Sequence, residues 1–137
     1  MSELSAALLQ GTSKPHPQDA ILVLEDGFVL RGNACGAQGE VVGEVCFNTS
    51  VEGYLEIITD PSYAGQIVVL TYPQIGAYGI HEDDFQSDTP ALRGLVVRDM
   101  ISTPSSWRST RSLPEYLKEY GVVALENVDT RALVRHI

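Results

Sequence analysis

Three kinds of side chain in this sequence could carry chemistry: the thiols Cys35 and Cys46, three imidazoles, and the hydroxyl of Ser62, which follows an Asp-Pro pair. A thiol acts as a nucleophile only as the thiolate, presented on a strained turn of small residues beside a base. Cys46 stands instead in Val45-Cys46-Phe47 and Cys35 in Ala34-Cys35-Gly36, so neither has the G-x-C-x-G form of such a turn. Cys46 also lies within a strand-like run, where a cysteine packs as a small hydrophobe. A separate cysteine enzyme would lack both its elbow and its base. There is no CxxC pair and no Cys/His ligand spacing, so we expect no structural metal and a reducing compartment. The run His81-Glu82-Asp83-Asp84 concentrates charge. Adjacent side chains rarely converge on one ion, and a solvated acidic loop is expected there. Gly36-Ala37-Gln38-Gly39 lacks the Gly-Lys-Ser/Thr ending of a phosphate loop and no amphipathic helix follows it, which leaves a plain turn. Ser62 remains. A hydroxyl just after a helix-ending Asp-Pro sits on an exposed turn and can donate to and accept from an amide or carboxylate, or else bond only the backbone of its own turn.

The remaining composition narrows the partners. Nine basic against eighteen acidic residues give a formal charge of -9, which repels phosphate backbones and anionic lipid surfaces, so nucleic acid and membrane are not expected partners. No apolar run approaches the roughly 18 residues of a membrane span. The apolar run Ala6 to Leu9 is too short for a signal peptide and has no early basic residue before it, so a cytoplasmic location is expected. A chain of 137 residues suits one domain that removes about 70% of its unfolded surface from water.

The elements that must position these groups can be followed along the chain. Residues 1–19 mix Ser, Gln, Pro and Gly, with little apolar material after Leu9, and are expected to form a flexible leader. Asp26-Gly27 between AILVL and FVLRGNAC predicts a hairpin of strands near 20–25 and 28–34, with both turn positions at positive φ. Glu40 to Asn48 is strand-like, with Gly43 a candidate bulge. Thr49 and Glu52 have the form of a capping box, and Val51, Tyr54, Leu55 and Ile58 recur at helical spacing, so a short helix is expected to start there and to end at Asp60-Pro61. Gly65 to Tyr72 is apolar on both faces and predicts a central strand. Pro73 to Gly79 reads as loop, and Gly94 to Met100 as a further strand. Trp107 is either a core lid or, with Arg108, an interface anchor. Ser112 and Glu115 form a second capping box before a helix that Gly121 closes, and Val122 to Leu125 is a last strand. Asp129 caps a helix in which Leu133 would staple against Val128. At about two turns this helix is short of the ~12 residues needed for even marginal stability alone, and more chain is expected beyond Ile137. Strands with three short helices imply an α/β (α+β) domain with a mixed sheet.

The segments LVLEDGFVLRG, GEVCFNTSVEGYLEIITDPSYAGQIVVLTYPQIG, GLVVRDM, WRSTRSLPEYLKEYGVVAL and VDTRALVRHI together resemble the amino-terminal domain of the carbamoyl-phosphate synthase small subunit, over about residues 20–137. The FNTS, GY-x-EI, TDPSY and LTYP blocks occur in that order. The resemblance implies a swivelling β/β/α-like fold. It also implies a role in a glutamine amidotransferase subunit that hydrolyses glutamine to glutamate and ammonia. The ammonia passes to a large subunit, which binds ATP and Mg and makes carbamoyl phosphate for arginine and pyrimidine biosynthesis. The family's catalytic Cys, His and Glu belong to a class I amidotransferase domain that has no counterpart in this sequence. The resemblance thus implies no catalytic residue, metal or cofactor here, and no glutaminase activity for this chain alone. His16, His81 and His136 fall in no family motif. One site residue transfers: the serine of TDPSY, Ser62, implied to contribute to the glutamine site. The implied partners are the large subunit, in a heterodimer, and the glutaminase domain. Trp107, Arg108 and the exposed parts of the 73–88 loop are contact candidates. Leu55 stands where the family commonly has Gln, Ala77 where it has Asn, and Cys46 where Val is usual. The alternative is a free-standing protein-binding module with the same fold and no part in glutamine hydrolysis.

Overall fold

Gln66–Leu70 (β5), the run QIVVL, is apolar on both faces because it is covered on both faces. The computed structural model describes residues 5–10, 19–49, 53–72, 75, 89–100 and 112–137. Within these, β5 lies between two parallel neighbours, Glu40–Asn48 (β4) and Gly94–Val96 (β6), and Val123–Glu126 (β7) extends the parallel set beyond β6. Ile67 and Val69 point to one core cluster and Val68 and Leu70 to the other. The second cluster is completed by Tyr54, Leu55 and Ile58 of helix α1 (Tyr54–Thr59) and Leu113, Tyr116 and Leu117 of α2 (Leu113–Glu119). Each fully buried side chain of this size contributes about 1.5–3 kcal/mol.

The other half of the sheet is antiparallel. Asp19–Leu24 (β2) and Val29–Ala34 (β3) form the expected hairpin, and β3 continues onto β7. Ser5–Gln10 (β1) runs antiparallel to both β2 and β4 and closes the sheet into a barrel in the order β1-β2-β3-β7-β6-β5-β4. Ala6, Leu8, Leu22, Leu24, Val45, Ile67, Val69, Val96, Val123 and Leu125 share its interior cluster. The mixed-sheet expectation holds, with three short α-helices among the described residues.

Four local expectations are corrected. Residues 5–10, expected within a flexible leader, are β1, since Ala6 and Leu8 alternate into the core through pairing with a strand more than thirty positions away. Composition of a short window carries no trace of such a partner. The hairpin turn has positive φ at Gly27 alone (94°). Its three-residue loop is closed by Gly27 N–H donating to the Leu24 carbonyl and Leu24 N–H donating to that of Phe28, each at 2.9 Å, and Asp26 Oδ1 accepts from Phe28 N–H at 3.0 Å. Gly43 is no bulge, because its register with Ala6 is unbroken. It is small because a Cβ there would lie 2.5 Å from the Gly65 carbonyl oxygen. Finally, α1 begins at Tyr54 with Gly53, at φ 80°, as its N-cap, rather than at Thr49. Val51 and Glu52 lie outside the described residues.

The later elements follow expectation closely. Ser112 Oγ accepts from Glu115 N–H at 3.3 Å while the Glu115 carboxylate accepts from Ser112 N–H at 3.1 Å, the reciprocal box. Gly121 follows α2 at φ 72°. Asp129 Oδ1 accepts from Ala132 N–H at 2.9 Å, starting α3 (Thr130–His136), and Val128 and Leu133 are buried in one cluster. This seven-residue helix is too short to persist alone. Tertiary contacts hold it: His136 Nε2 lies 2.7 Å from Asp26 Oδ2 and its ring stacks on Phe28 at 3.9 Å between centroids.

Candidate functional site

Asp60 and Pro61 stop α1 and start a single 3₁₀ turn, Pro61–Tyr63, that carries Ser62 into solvent. Asp60 is extended (φ -73°, ψ 119°), as a residue before proline must be, and Pro61 supplies a preset φ at the first position of the turn. The end of α1 is well satisfied. Thr59 Oγ1 donates to the Leu55 carbonyl at 2.7 Å, and Ala91 N–H donates to the carbonyl of Ile58 at 2.9 Å.

One carboxylate oxygen organises the turn. Asp60 Oδ1 accepts from Ser62 N–H at 2.9 Å and from Ser62 Oγ–H at 2.7 Å. These two donors hold the Asp60 carboxyl below its ordinary range, the backbone N–H contributing most. With its proton directed at Asp60, the Ser62 oxygen turns its lone pairs outward, and rotation of the hydroxyl would restore a donor. From its sequence context Ser62 is expected to be an exposed hydroxyl that either meets a ligand or bonds the backbone of its turn. The observed partner is instead the Asp60 side chain. The i, i+2 spacing of Asp and Ser across a proline is a turn signal that could have disclosed it.

Beside this turn, Tyr63 packs against the outer cluster and its hydroxyl accepts from Asn48 Nδ2 at 3.0 Å. This contact joins the TDPSY and FNTS blocks and was not anticipated. Leu55, at a position noted for its departure from the family's usual glutamine, is buried in the core.

Neither thiol has the environment of a nucleophile. Cys46 is buried and donates to Gln66 Oε1 at 3.4 Å. Burial pushes its thiol above the ordinary range, with Glu44 adding to the effect. Cys35 is raised much further, first by burial and then by Glu126. Both cysteines are free, and slow alkylation near neutral pH is expected of each. Among the described residues no group of three or more His, Cys, Asp or Glu side chains is placed to hold a metal ion, and no helix is long and apolar enough to cross a membrane. His81 to Asp84, Trp107 and Arg108 lie outside the described residues, as does Ala77.

The family model described as carbamoyl-phosphate synthase small chain, CPSase domain, matches residues 22–137. The chain belongs to the carbamoyl-phosphate synthase small chain family. It is 55% identical over 118 residues to the carbamoyl phosphate synthase small chain of Thermotoga maritima, covering 86% of this chain and 30% of that protein. It is 57% identical over 118 residues to that of Syntrophotalea carbinolica, covering 86% and 31%, and 50% identical over 120 residues to that of a Synechococcus species, covering 88% and 31%. The chain thus spans about three-tenths of the length of these small chains. The matched residues contain the whole Asp60 to Tyr63 turn and both cysteines, whereas β1 precedes them.

Proposed function

We propose that this chain acts as the amino-terminal domain of a carbamoyl-phosphate synthase small subunit and lends Ser62 to the glutamine site of the glutaminase portion. The observation that carries the reading is the exposed 3₁₀ turn, on which Asp60 fixes both the N–H and the hydroxyl of Ser62. A hydroxyl held in this way loses little freedom on meeting a ligand, and preorganisation of this kind favours binding. Glutamine hydrolysis itself belongs to a catalytic domain that supplies the nucleophile. This domain positions substrate, and it contacts a large subunit where carbamoyl phosphate is made with ATP and Mg in arginine and pyrimidine biosynthesis. The assembly is then a cytoplasmic heterodimeric ligase.

The test uses the complete small subunit paired with its large subunit. Ser62→Ala removes one hydrogen bond, a loss of about 0.5–1.5 kcal/mol. The expected result is a higher KM for glutamine, with synthesis from free ammonia unchanged. Unaltered glutamine kinetics would sink the assignment of Ser62. A pull-down of this chain against the large subunit and a detached glutaminase domain tests the wider reading. A folded chain that captures neither would instead be a free-standing binding module.

A further inference from the structure

Among the described residues β1 is the strand that lies wholly before the residues matched to the family, and it is bonded along both edges. On one side Ala6 to Gln10 pair with Leu24 to Ala20 of β2, and on the other Ser5 to Leu9 pair with Glu44 to Glu40 of β4. Without it, β2 and β4 would present two facing rows of unpaired N–H and C=O groups, a template for any extended segment. The slot is shaped as well as sticky. Ala6 lies opposite Gly43, where no side chain competes for room, and is buried to 3% exposure. Leu8, 1% exposed, lies opposite Leu22 and Val41 and reaches across the barrel to Gly94. A Cβ on Gly94 would stand 2.7 Å from Leu8 Cδ1, so the barrel wall is cut back where that leucine enters.

We propose that the space between β2 and β4 is a strand-acceptor site for an extended peptide with a small residue and a leucine at alternate positions, and that this chain's own Ser5–Gln10 is its occupant. Backbone pairing supplies the adhesion and the two inward side chains supply the selection. The strand is separable in this reading. Among its described side chains it brings two that are apolar and fully inward, Ala6 and Leu8, and residues 11–18, containing Pro15 and Pro17, join it to β2. Its opening exposes the slot while β4 to β7 stay closed, as expected of a locally opening unit.

The experiment is amide hydrogen exchange on the full chain. In the unaltered protein, β1 and the β2 and β4 amides facing it should exchange at least about ten-fold faster than those of β5, the mark of sub-global opening. Exchange of all these strands at one common rate would overturn the proposal. Leu8→Asp places an unpaired carboxylate in the apolar interior and should drive the strand out, leaving β5 to β7 protected. An excess of a peptide spanning residues 4–11 should then restore protection to β2 and β4, and the same peptide carrying Leu8→Asp should not. Global unfolding of the Leu8→Asp chain would show β1 to be inseparable, and undiminished protection would show that it does not fill the slot. Light scattering over a range of concentrations completes the test. A monomer is expected, whereas a dimer whose β1 protection grows with concentration would assign the strand to a second copy and overturn the occupant named here.

Discussion

Strands β4 to β7 run parallel and β1 to β3 antiparallel, and the two regions are buried in different ways. In β5 and β6 every residue from Ile67 to Leu70 and from Gly94 to Val96 is buried, because the barrel interior lies on one face and α1 and α2 on the other. In β2 burial alternates strictly, and in β3 no side chain is fully buried. A single strand displays both regimes. β4 alternates from Glu40 to Glu44 while it pairs with β1, then buries Val45 and Cys46 in succession where it pairs with β5. What differs is the covering layer. Parallel neighbours need crossover connections, and those connections bring helices that cover the outer face.

The sharpest way to break this comparison is to truncate a side chain in each region. Leu95, fully buried in the outer cluster, should cost about 2–5 kcal/mol as Leu95→Ala, because the closely packed helices above it cannot collapse into the cavity. Val29→Ala in β3, at a side chain 44% exposed, should change stability by less than about 0.5 kcal/mol. Urea denaturation of both variants decides the matter, and comparable losses would mean that the two halves do not differ as described.

A second substitution probes the boundary between the regimes. Gly43 is where β4 passes from β1 to β5, and its missing Cβ admits the Gly65 carbonyl. Because that neighbour is backbone, Gly43→Ala must move the chain, at about 1–3 kcal/mol. A neutral result would show that β4 shifts freely against the turn that follows Ser62.

These two regions were also unequally legible in the sequence. The parallel half could be read because its signals are local: QIVVL is apolar throughout, and Ser112-x-x-Glu115 caps its own helix. The exposed turn at Ser62 was legible for the same reason, since Asp60 and Pro61 stop a helix within a few residues. The barrel closure was not, because β1 consists of SAALLQ amid polar residues and gains its meaning only from β2 and β4. The start of α1 was misread because Thr49-x-x-Glu52 satisfies a pattern, whereas Gly53 in the left-handed region sets the actual boundary. The proposed role of Ser62 at a glutamine site came into view through family likeness, and the turn adds its exposure and its bonds to Asp60.

A smaller effect sharpens the account of the covering layer. Ser112→Ala deletes the cap of α2, which lies over the parallel strands, and should cost about 1 kcal/mol. Ser112→Gly should cost only a few tenths. Thermal melts of the pair check this. Equal losses would assign the effect to the buried Ser112 hydroxyl's packing rather than to the cap.

The smallest effect lies on the seam. β7 pairs in parallel with β6 and antiparallel with β3, and at its end Glu126 Oε1 accepts from Met100 N–H at 3.1 Å. Burial raises the Glu126 carboxyl above its ordinary 4.5, and Asp99 adds to the rise against the lowering hydrogen bond. A raised acid favours the fold in its protonated form. The contribution is therefore complete below the unfolded value and is lost as pH rises through the folded one. Glu126→Gln keeps an acceptor for Met100 but cannot ionise, so its stability relative to the unaltered chain should improve as pH rises from about 4 towards 7. Partial exposure makes the effect small, and urea midpoints across that range measure it. A difference independent of pH would mean that the seam is as well hydrated as the antiparallel side, and that the two-sided burial of the parallel strands stops before the end of β7.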